Sequence, residues 1–324
     1  MVNNIIENLK NKVLERKKIT YQEALQLVDC DDKNELYAAA DAIRQVFIGR
    51  NIDLCSIANA KSGKCEEDCK WCSQSRHFQT TVEEYDIINK ELAVDMAKLN
   101  RSKGVNRYSL VTSGRTVTDS ELDSLVVIYK SIKKESDIHL CASMGLLNKE
   151  QLQKLKDTGI GHYHCNLETA PSYFSEVCST HSIEEKMQTI AWAKEVGLDI
   201  CSGGIIGMGE TMAQRIELAC ALSDLEVNSI PINVLNPIAG TPMAGAGKLT
   251  EEEILTTIAI FRFVNPRAHI RFAGGRNLLS IETQKKALHA GISAALVGDY
   301  LTTIGTKVNE DKQLFEQEGF SFNS

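Results

Sequence analysis

Three cysteines stand close together in Ala60-Lys-Ser-Gly-Lys-Cys65-Glu-Glu-Asp-Cys69-Lys-Trp71-Cys72, spaced Cys-x3-Cys-x2-Cys. Three thiolates on one short loop can hold three irons of a 4Fe-4S cube and leave the fourth iron without a protein ligand, open to a substrate. A structural zinc site is the plainer use of such thiols. Those sites usually close with four ligands in two spaced pairs, and His77, five residues on, is the only obvious local fourth. The chain has 10 cysteines and starts MVNNIIENLKNKVLERKK, without a basic segment followed by an apolar core and cleavage site. A cytoplasmic setting is therefore expected, where clustered thiols bind metal more often than they form disulfides.

The elements that must position this loop follow from hydrophobic patterning. Residues 1–50 read as a helical segment, with a capping box at Thr20 and Glu23. Beyond them, β-rich runs at 53–58, 105–112, 137–143, 160–168, 198–204, 229–235, 268–273 and 292–297 alternate with amphipathic helical stretches. The helices start at Thr118 with Glu121, Ser182 with Glu185 and Thr250 with Glu253, and stop at Gly104, Gly159, Gly197 and Gly291. Eight such units predict a single-domain (β/α)8 TIM-type barrel over 51–310, after the N-terminal helices and before a C-terminal tail, 311–324. In that fold the site lies at the C-terminal ends of the strands, which is where the Cys65 loop emerges.

Composition narrows the partners. The 324 residues are 43% hydrophobic and 24% charged, with only 5 Pro, as in an ordinary globular protein. A net charge of -7 disfavours nucleic acid or a membrane surface, and no apolar run reaches the length of a membrane span. A small-molecule partner fits better.

Period-two alternation sorts each strand into a lumen face and a helix face. The lumen sets read Arg107, Ser109, Val111; His139, Cys141, Ser143; His162, His164, Asn166, Glu168; Asp199, Cys201, Gly203; Pro231, Asn233, Leu235; and His269, Arg271, Ala273. Any one of these has an ordinary reading as a buried, satisfied polar side chain or a small apolar cysteine. That reading weakens when six strands agree. It is kept for Cys30 and Cys220, on helices, and for Cys55, ahead of the loop.

The Cys65, Cys69, Cys72 loop with an aromatic before its last cysteine resembles that of the radical S-adenosylmethionine superfamily. There the open iron chelates S-adenosylmethionine, and one electron cleaves it to methionine and a 5′-deoxyadenosyl radical. Within that superfamily, His164-Cys-Asn166-Leu-Glu168, Cys201-Ser-Gly-Gly-Ile-Ile-Gly-Met-Gly209-Glu210-Thr, Pro231-Ile-Asn233, Gly240-Thr-Pro242 and Arg271-Phe-Ala-Gly-Gly-Arg276 resemble the biotin synthase family, from about residue 20 to about 310. The resemblance implies radical insertion of sulfur into dethiobiotin, with the sulfur supplied by an auxiliary iron-sulfur cluster deeper in the barrel. It implies that Trp71, Gly209 and Glu210 serve S-adenosylmethionine, that Asn166 and Glu168 contact substrate and the ribose of S-adenosylmethionine, and that Asn233 meets the ureido ring of dethiobiotin. A low-potential donor such as flavodoxin or ferredoxin, and a homodimer, are the partners expected with it.

One position departs from that family's pattern. Its auxiliary 2Fe-2S cluster takes three cysteines and an arginine on strand ends; Cys141, Cys201 and Arg271 match, but Ser109 stands where the third cysteine belongs. Serine is a poor partner for iron beside sulfide. Of the unassigned thiols, Cys165 has helix-facing parity, whereas Cys178 lies in a mouth-side loop and is the expected replacement, favouring a 4Fe type cluster with an extra sulfide. Hydrogenase maturases and methylornithine synthase are the nearest competing activities and would lack the Cys141, Cys201, Arg271 set. A non-enzymatic iron-sulfur carrier would not need a closed barrel or the two asparagines.

Overall fold

The computed structural model describes residues 5–298 and 307–322. Three helices come first: α1 (Ile5–Leu14), α2 (Tyr21–Gln26) and α3 (Lys33–Phe47). The strands are β1 (Asn51–Lys61), β2 (Arg107–Thr112), β3 (His139–Ser143), β4 (His162–His164), β5 (Asp199–Cys201), β6 (Gly204–Ile206), β7 (Ser229–Val234), β8 (His269–Phe272), β9 (Ala294–Leu296) and β10 (Ser321–Phe322). Between them run α4 (Lys90–Ser102), α5 (Asp119–Glu135), α6 (Lys149–Thr158), α7 (Phe174–Val177), α8 (Ile183–Glu195), α9 (Met212–Asp224), α10 (Glu251–Val264), α11 (Ile281–Leu288) and α12 (Val308–Gln317).

Every pairing in the barrel is parallel, and β9 pairs with β1 to close it. With β5 and β6 taken as two halves of one strand, this is the eight-stranded barrel expected. The capping boxes at Thr20, Thr118, Ser182 and Thr250 all form, each hydroxyl accepting from the backbone N–H three residues on while that glutamate answers the cap. Gly104, Gly159, Gly197 and Gly291 sit at positive φ where the helices turn into the next strand. The N-terminal helices cover the outer ring, α3 against α10 and α2 against α9.

Three differences from the patterning have physical causes. The run 160–168 is a strand only at His162–His164; beyond it Glu168 holds φ +72 and bridges to Gly204. The run 198–204 breaks at Ser202-Gly203, because β5 pairs β4 while β6 pairs β7. The segment expected as a tail contains α12, which spans residue 310, buries Val308, Leu314 and Phe315, and pairs Asp311 with Arg276 at 2.6 Å. β10 then adds to the edge of β1. Among the described residues no helix is long and apolar enough to cross a membrane.

Candidate active site

A cavity of about 460 Å³ opens at the C-terminal ends of the strands, and most of the residues that alternation assigned to the lumen lie on its wall. Arg107, Ser109, Val111, Cys141, Ser143, His162, His164, Asn166, Glu168, Cys201, Pro231, Asn233, Arg271 and Ala273 all line it. His139, Asp199, Gly203, Leu235 and His269 from the same sets do not.

At the mouth, Cys65, Cys69, Cys72 and Trp71 line the same cavity. Gln74 fixes the start of their loop: its Oε1 accepts from Gly63 N at 3.0 Å, and its carbonyl accepts from Cys65 N at 3.0 Å. The other side of the loop is strapped to the chain after α7. Asp68 accepts from Ser179 N at 2.9 Å and Ser179 Oγ at 2.5 Å, and Lys70 Nζ donates to Glu176 O at 2.6 Å. Glu67 accepts from Thr180 Oγ1 at 2.6 Å and is paired with His181. Trp71 packs with Tyr173, Val177, Met208 and Met243, a small apolar cluster separate from the main core.

This strap relocates Cys178. It was expected beside Cys141 and Cys201, but its Sγ lies 3.7 Å from Cys69 Sγ and 3.4 Å from Asp68 Oδ1, and it is not part of the cavity wall. The carboxylate contacts of Asp68 with Ser179 and Thr180 pull the segment onto the Cys65 loop, an outcome that strand geometry cannot anticipate. The hydrogen bond between them pushes the Cys69 thiol up, and the same bond, with His181, brings Cys178 down.

Deeper in, Arg271 is almost fully buried. Its Nη2 reaches Asp53 Oδ2 at 2.5 Å, its Nη1 donates to the carbonyls of Asp53 and Ala295 at 3.1 Å, and its Nε reaches Ser229 Oγ at 3.3 Å. Arg107 Nε binds the same carboxylate at 2.9 Å. Burial alone would raise Asp53, but Arg271 and then Arg107 more than reverse it, to about 2. Burial pushes up the Cys141 thiol and takes Cys55 to about 11. Cys201 goes the other way, since the adjacent His164 and Arg271 outweigh its burial.

The register ties four of these side chains together. Cys55 pairs with Arg107, and two residues on Ser109 pairs with Cys141. Cys141 pairs with His162, and two residues on His164 pairs with Cys201. Cys201 pairs with Ser229, and two residues on Pro231 pairs with Arg271. Arg271 pairs with Ala294, and two residues on Leu296 pairs with Cys55. The path closes after two residues at each of four steps, about eight in all, which is the shear of such a barrel. Cys55, Cys141, Cys201 and Arg271 therefore form one layer, drawn from alternate strands as barrel layers are. Ser109 lies on an intervening strand and belongs to a neighbouring layer.

Asn166 and Glu168 face the cavity side by side, Asn166 Nδ2 at 3.3 Å from Glu168 Oε2, while Asn166 Oδ1 accepts from Gly203 N at 3.0 Å. Asn233 lines the wall with its amide already engaged, donating to Gly204 O at 3.0 Å and accepting from Gly274 N at 2.8 Å. Gly209 and Glu210 are not on the wall. The Glu210 carboxylate instead accepts from Gly207 N and Met208 N, both at 2.8 Å, and from Arg215 Nε at 2.7 Å, pinning the turn after β6.

Cys165 and Lys186 are among the wall residues that escaped the sequence reading. Cys165 lines the cavity because the chain has left β4 before reaching it, so strand parity no longer applies. Lys186, from α8, reaches the wall as a buried cation; burial would lower its pKa, but the nearby Cys165 and Glu168 raise it. Its place in an amphipathic helix gave no hint of this.

The donor sets suit the iron-sulfur groups that the motifs imply. Cys65, Cys69 and Cys72 are soft ligands on one face of the mouth, and the deeper thiols share a layer with a buried guanidinium that offsets negative charge. Among the described residues, Cys69, Cys178 and His181 form the single trio of potential ligand atoms lying mutually within 4.8 Å. The deeper thiols are spread too widely for one tetrahedral ion, whose thiolates sit roughly 4 Å apart at the usual zinc-sulfur length.

Comparison with known proteins agrees with this geometry. Residues 60–220 match the radical SAM superfamily and residues 231–321 match the Biotin and Thiamin Synthesis associated domain. In solved structures the fold recurs in methylornithine synthase, with TM-score 0.83 at 18% identity over 98% of this chain and 97% of that one. It recurs also in the FeFe-hydrogenase maturase from Carboxydothermus hydrogenoformans, with TM-score 0.83 at 20% identity over 98% of this chain and 80% of that one. At such identities the likeness is one of fold. The sequence relatives are much nearer: biotin synthase of Parabacteroides distasonis is 55% identical over 98% of this chain and 97% of its own length. Biotin synthase of Porphyromonas gingivalis is 51% identical over 98% of this chain and 96% of its own length. With two family models in tandem and relatives this close over nearly the full length, the chain belongs to the biotin synthase family.

Proposed function

We propose that this chain converts dethiobiotin to biotin by radical sulfur insertion, using S-adenosylmethionine and a low-potential electron donor such as a flavodoxin or ferredoxin. The observation that carries the reading is the presence of two separate thiol sets on the wall of one cavity, one at the mouth and one deep in the barrel. In this reading Cys65, Cys69 and Cys72 hold a 4Fe-4S cube and the deep layer holds the auxiliary cluster. When bound, these groups supply the electron that cleaves S-adenosylmethionine and the sulfur that ends in the product.

The protein's own part is binding, orientation and exclusion of water. Trp71, held by Tyr173 and Met208, offers an aromatic face at the mouth. Glu168 and Asn166, fixed by Gly203 and by the positive-φ backbone at Glu168, present polar atoms to the ribose and substrate. Asn233, held on both sides by backbone, offers a fixed amide edge toward the ureido ring. Gly209 and Glu210 support the S-adenosylmethionine site indirectly, through the turn that Glu210 pins. A cavity of about 460 Å³ is within the usual range for a small-molecule site. An alkyl radical abstracts hydrogen with little discrimination, so walls that hold one carbon near it and keep water out are the requirement.

Ser109 in place of a third strand-end cysteine leaves the usual 2Fe-2S ligand set incomplete, which supports an auxiliary cluster of 4Fe type whose extra sulfide would be the sulfur source. The test is an anaerobic assay of the reconstituted protein with dethiobiotin, S-adenosylmethionine and dithionite. Biotin, methionine and 5′-deoxyadenosine are the expected products. Cleavage of S-adenosylmethionine that is indifferent to dethiobiotin, with no biotin formed, would overturn the reading.

A further inference from the structure

We infer that Cys55 is the third thiolate ligand of the auxiliary cluster, so that the cluster is held by a single layer of the barrel: Cys55, Cys141 and Cys201, with Arg271 as the fourth member. The inference rests on the functional reading above and deepens it. It is carried by the strand register, which closes on these four residues and on no serine.

Each member of the layer faces the lumen. Cys55 lines the same cavity as Cys141, Cys201 and Arg271, and the four sense one another electrostatically: the charges acting on Cys55 come from Arg271, Cys201, Asp53 and Arg107, and those on Cys141 come from Arg107, Cys55, Cys201 and Arg271. Cys178, the earlier candidate, is engaged at the mouth with Cys69, Asp68 and His181. Cys165 has Lys186 and Glu168 for neighbours. Of the ten cysteines, only Cys55 is left to stand with Cys141 and Cys201, since Cys30 and Cys220 lie outside the cavity wall.

The layer also gives Arg271 a defined part. Four of its five N–H groups are committed to Asp53, Ala295 and Ser229, so it is fixed by protein acceptors and faces the thiols as a counter-charge. Beside three thiolates, a buried guanidinium fixed by Asp53 offsets part of the negative charge that an anionic cluster would bring. Placing the third thiol on β1 rather than β2 moves it from the layer of Ser109 to that of Cys141. A trio on alternate strands surrounds the lumen from three sides.

The test is iron and sulfide content with Mössbauer spectra of protein isolated without oxygen, read for wild type, Cys55→Ala, Cys55→Ser, Ser109→Ala and Cys178→Ala. Wild type is expected to carry two clusters. Cys55→Ala should lose the iron and sulfide of the second and keep the spectrum of the first. Cys55→Ser, which differs from the native residue by one atom, should either lose the second cluster or give it altered Mössbauer parameters, and it covers the case in which the alanine variant does not fold. Ser109→Ala and Cys178→Ala should keep the second cluster's iron. Full iron and sulfide with an unchanged spectrum in Cys55→Ser or Cys55→Ala overturns the inference alone, as does loss of the second cluster in Ser109→Ala or Cys178→Ala. A wild-type protein with only one cluster overturns the functional reading as well.

Discussion

Cys178 Sγ lies 3.7 Å from Cys69 Sγ, inside the hydrogen-bonded strap that joins the Cys65 loop to the segment after α7. Two thiols at that separation, one of them shifted toward thiolate by His181 and Cys69, are placed for disulfide formation when an oxidant removes two electrons and two protons. Cluster-free protein exposed to air is therefore expected to form a Cys69–Cys178 disulfide, with oxygen reduced to peroxide. Peptide mapping by mass spectrometry should find it, and dithiothreitol or Cys178→Ser should restore loading of the first cluster. Air-exposed wild type with free Cys69 and Cys178 would count against this.

Glu168 keeps φ +72 because its carbonyl accepts from Ile205 N at 2.7 Å and its N–H donates to Gly203 O at 3.0 Å. That exchange needs glycine opposite. A Cβ on Gly203 would stand 2.0 Å from Pro231 O and one on Gly204 would stand 2.4 Å from Glu168 O, both backbone atoms that cannot move aside. Gly203→Ala is expected to cost about 3 kcal/mol of stability, the upper end of overpacking effects, and to lower the unfolding midpoint of the anaerobic protein. A midpoint within a degree of wild type would contradict the close seating of Gly203 on the Pro231 carbonyl.

Much of this was legible from residue order alone. The strand and helix patterning gave the barrel, and period two gave its wall at Arg107, Ser109, Cys141, Cys201, Asn233 and Arg271, because a strand with one lumen face admits only one parity. The same rule applied to β1 selects Asp53, Cys55 and Ile57, although a cysteine just ahead of the Cys65 loop has the plain reading of a small buried thiol in the sequence. Cys178 and Cys165 lie where no ladder fixes parity, so their directions come from tertiary contacts with Asp68 and with α8. The part played by Glu210 was hidden for a related reason, since a carboxylate that caps a turn and one that binds a ligand look alike in sequence.

Asp53 binds both Arg271 and Arg107, and its folded pKa of about 2 lies below the ordinary 3.8. Such a group adds stability that is present above about pH 4 and is lost as pH falls through its folded value. The shift corresponds to about 2 kcal/mol. Asp53→Asn also leaves one buried and one half-buried cation without their carboxylate, so it should cost on the order of 3 kcal/mol near neutrality. Urea midpoints measured from pH 7 to pH 2 should show the gap between the two proteins narrowing below pH 4. A gap independent of pH would show that the ionised carboxylate is not what matters.

Lys186 is a buried ammonium on the cavity wall, with Cys165, Glu168 and Cys69 among the groups that act on it. Removing that charge leaves Glu168 and an anionic cluster uncompensated. Lys186→Met is expected to weaken S-adenosylmethionine binding by about tenfold, roughly 1.4 kcal/mol, and Lys186→Arg to recover most of it. Equilibrium binding to anaerobic protein reads this directly; equal affinity in Lys186→Met would assign the residue to packing over Phe174 instead.

The central claim is that sulfur in the product comes from the deep layer of the barrel, and isotope transfer in one turnover tests it most directly. Protein reconstituted with iron and 34S-sulfide is mixed anaerobically with dethiobiotin, S-adenosylmethionine and dithionite, and the biotin of the first turnover is analysed by mass spectrometry. The account predicts biotin carrying 34S from wild type, and S-adenosylmethionine cleavage without labelled biotin from Cys141→Ala. Unlabelled biotin from fully labelled wild-type protein, or labelled biotin from Cys141→Ala, would contradict it.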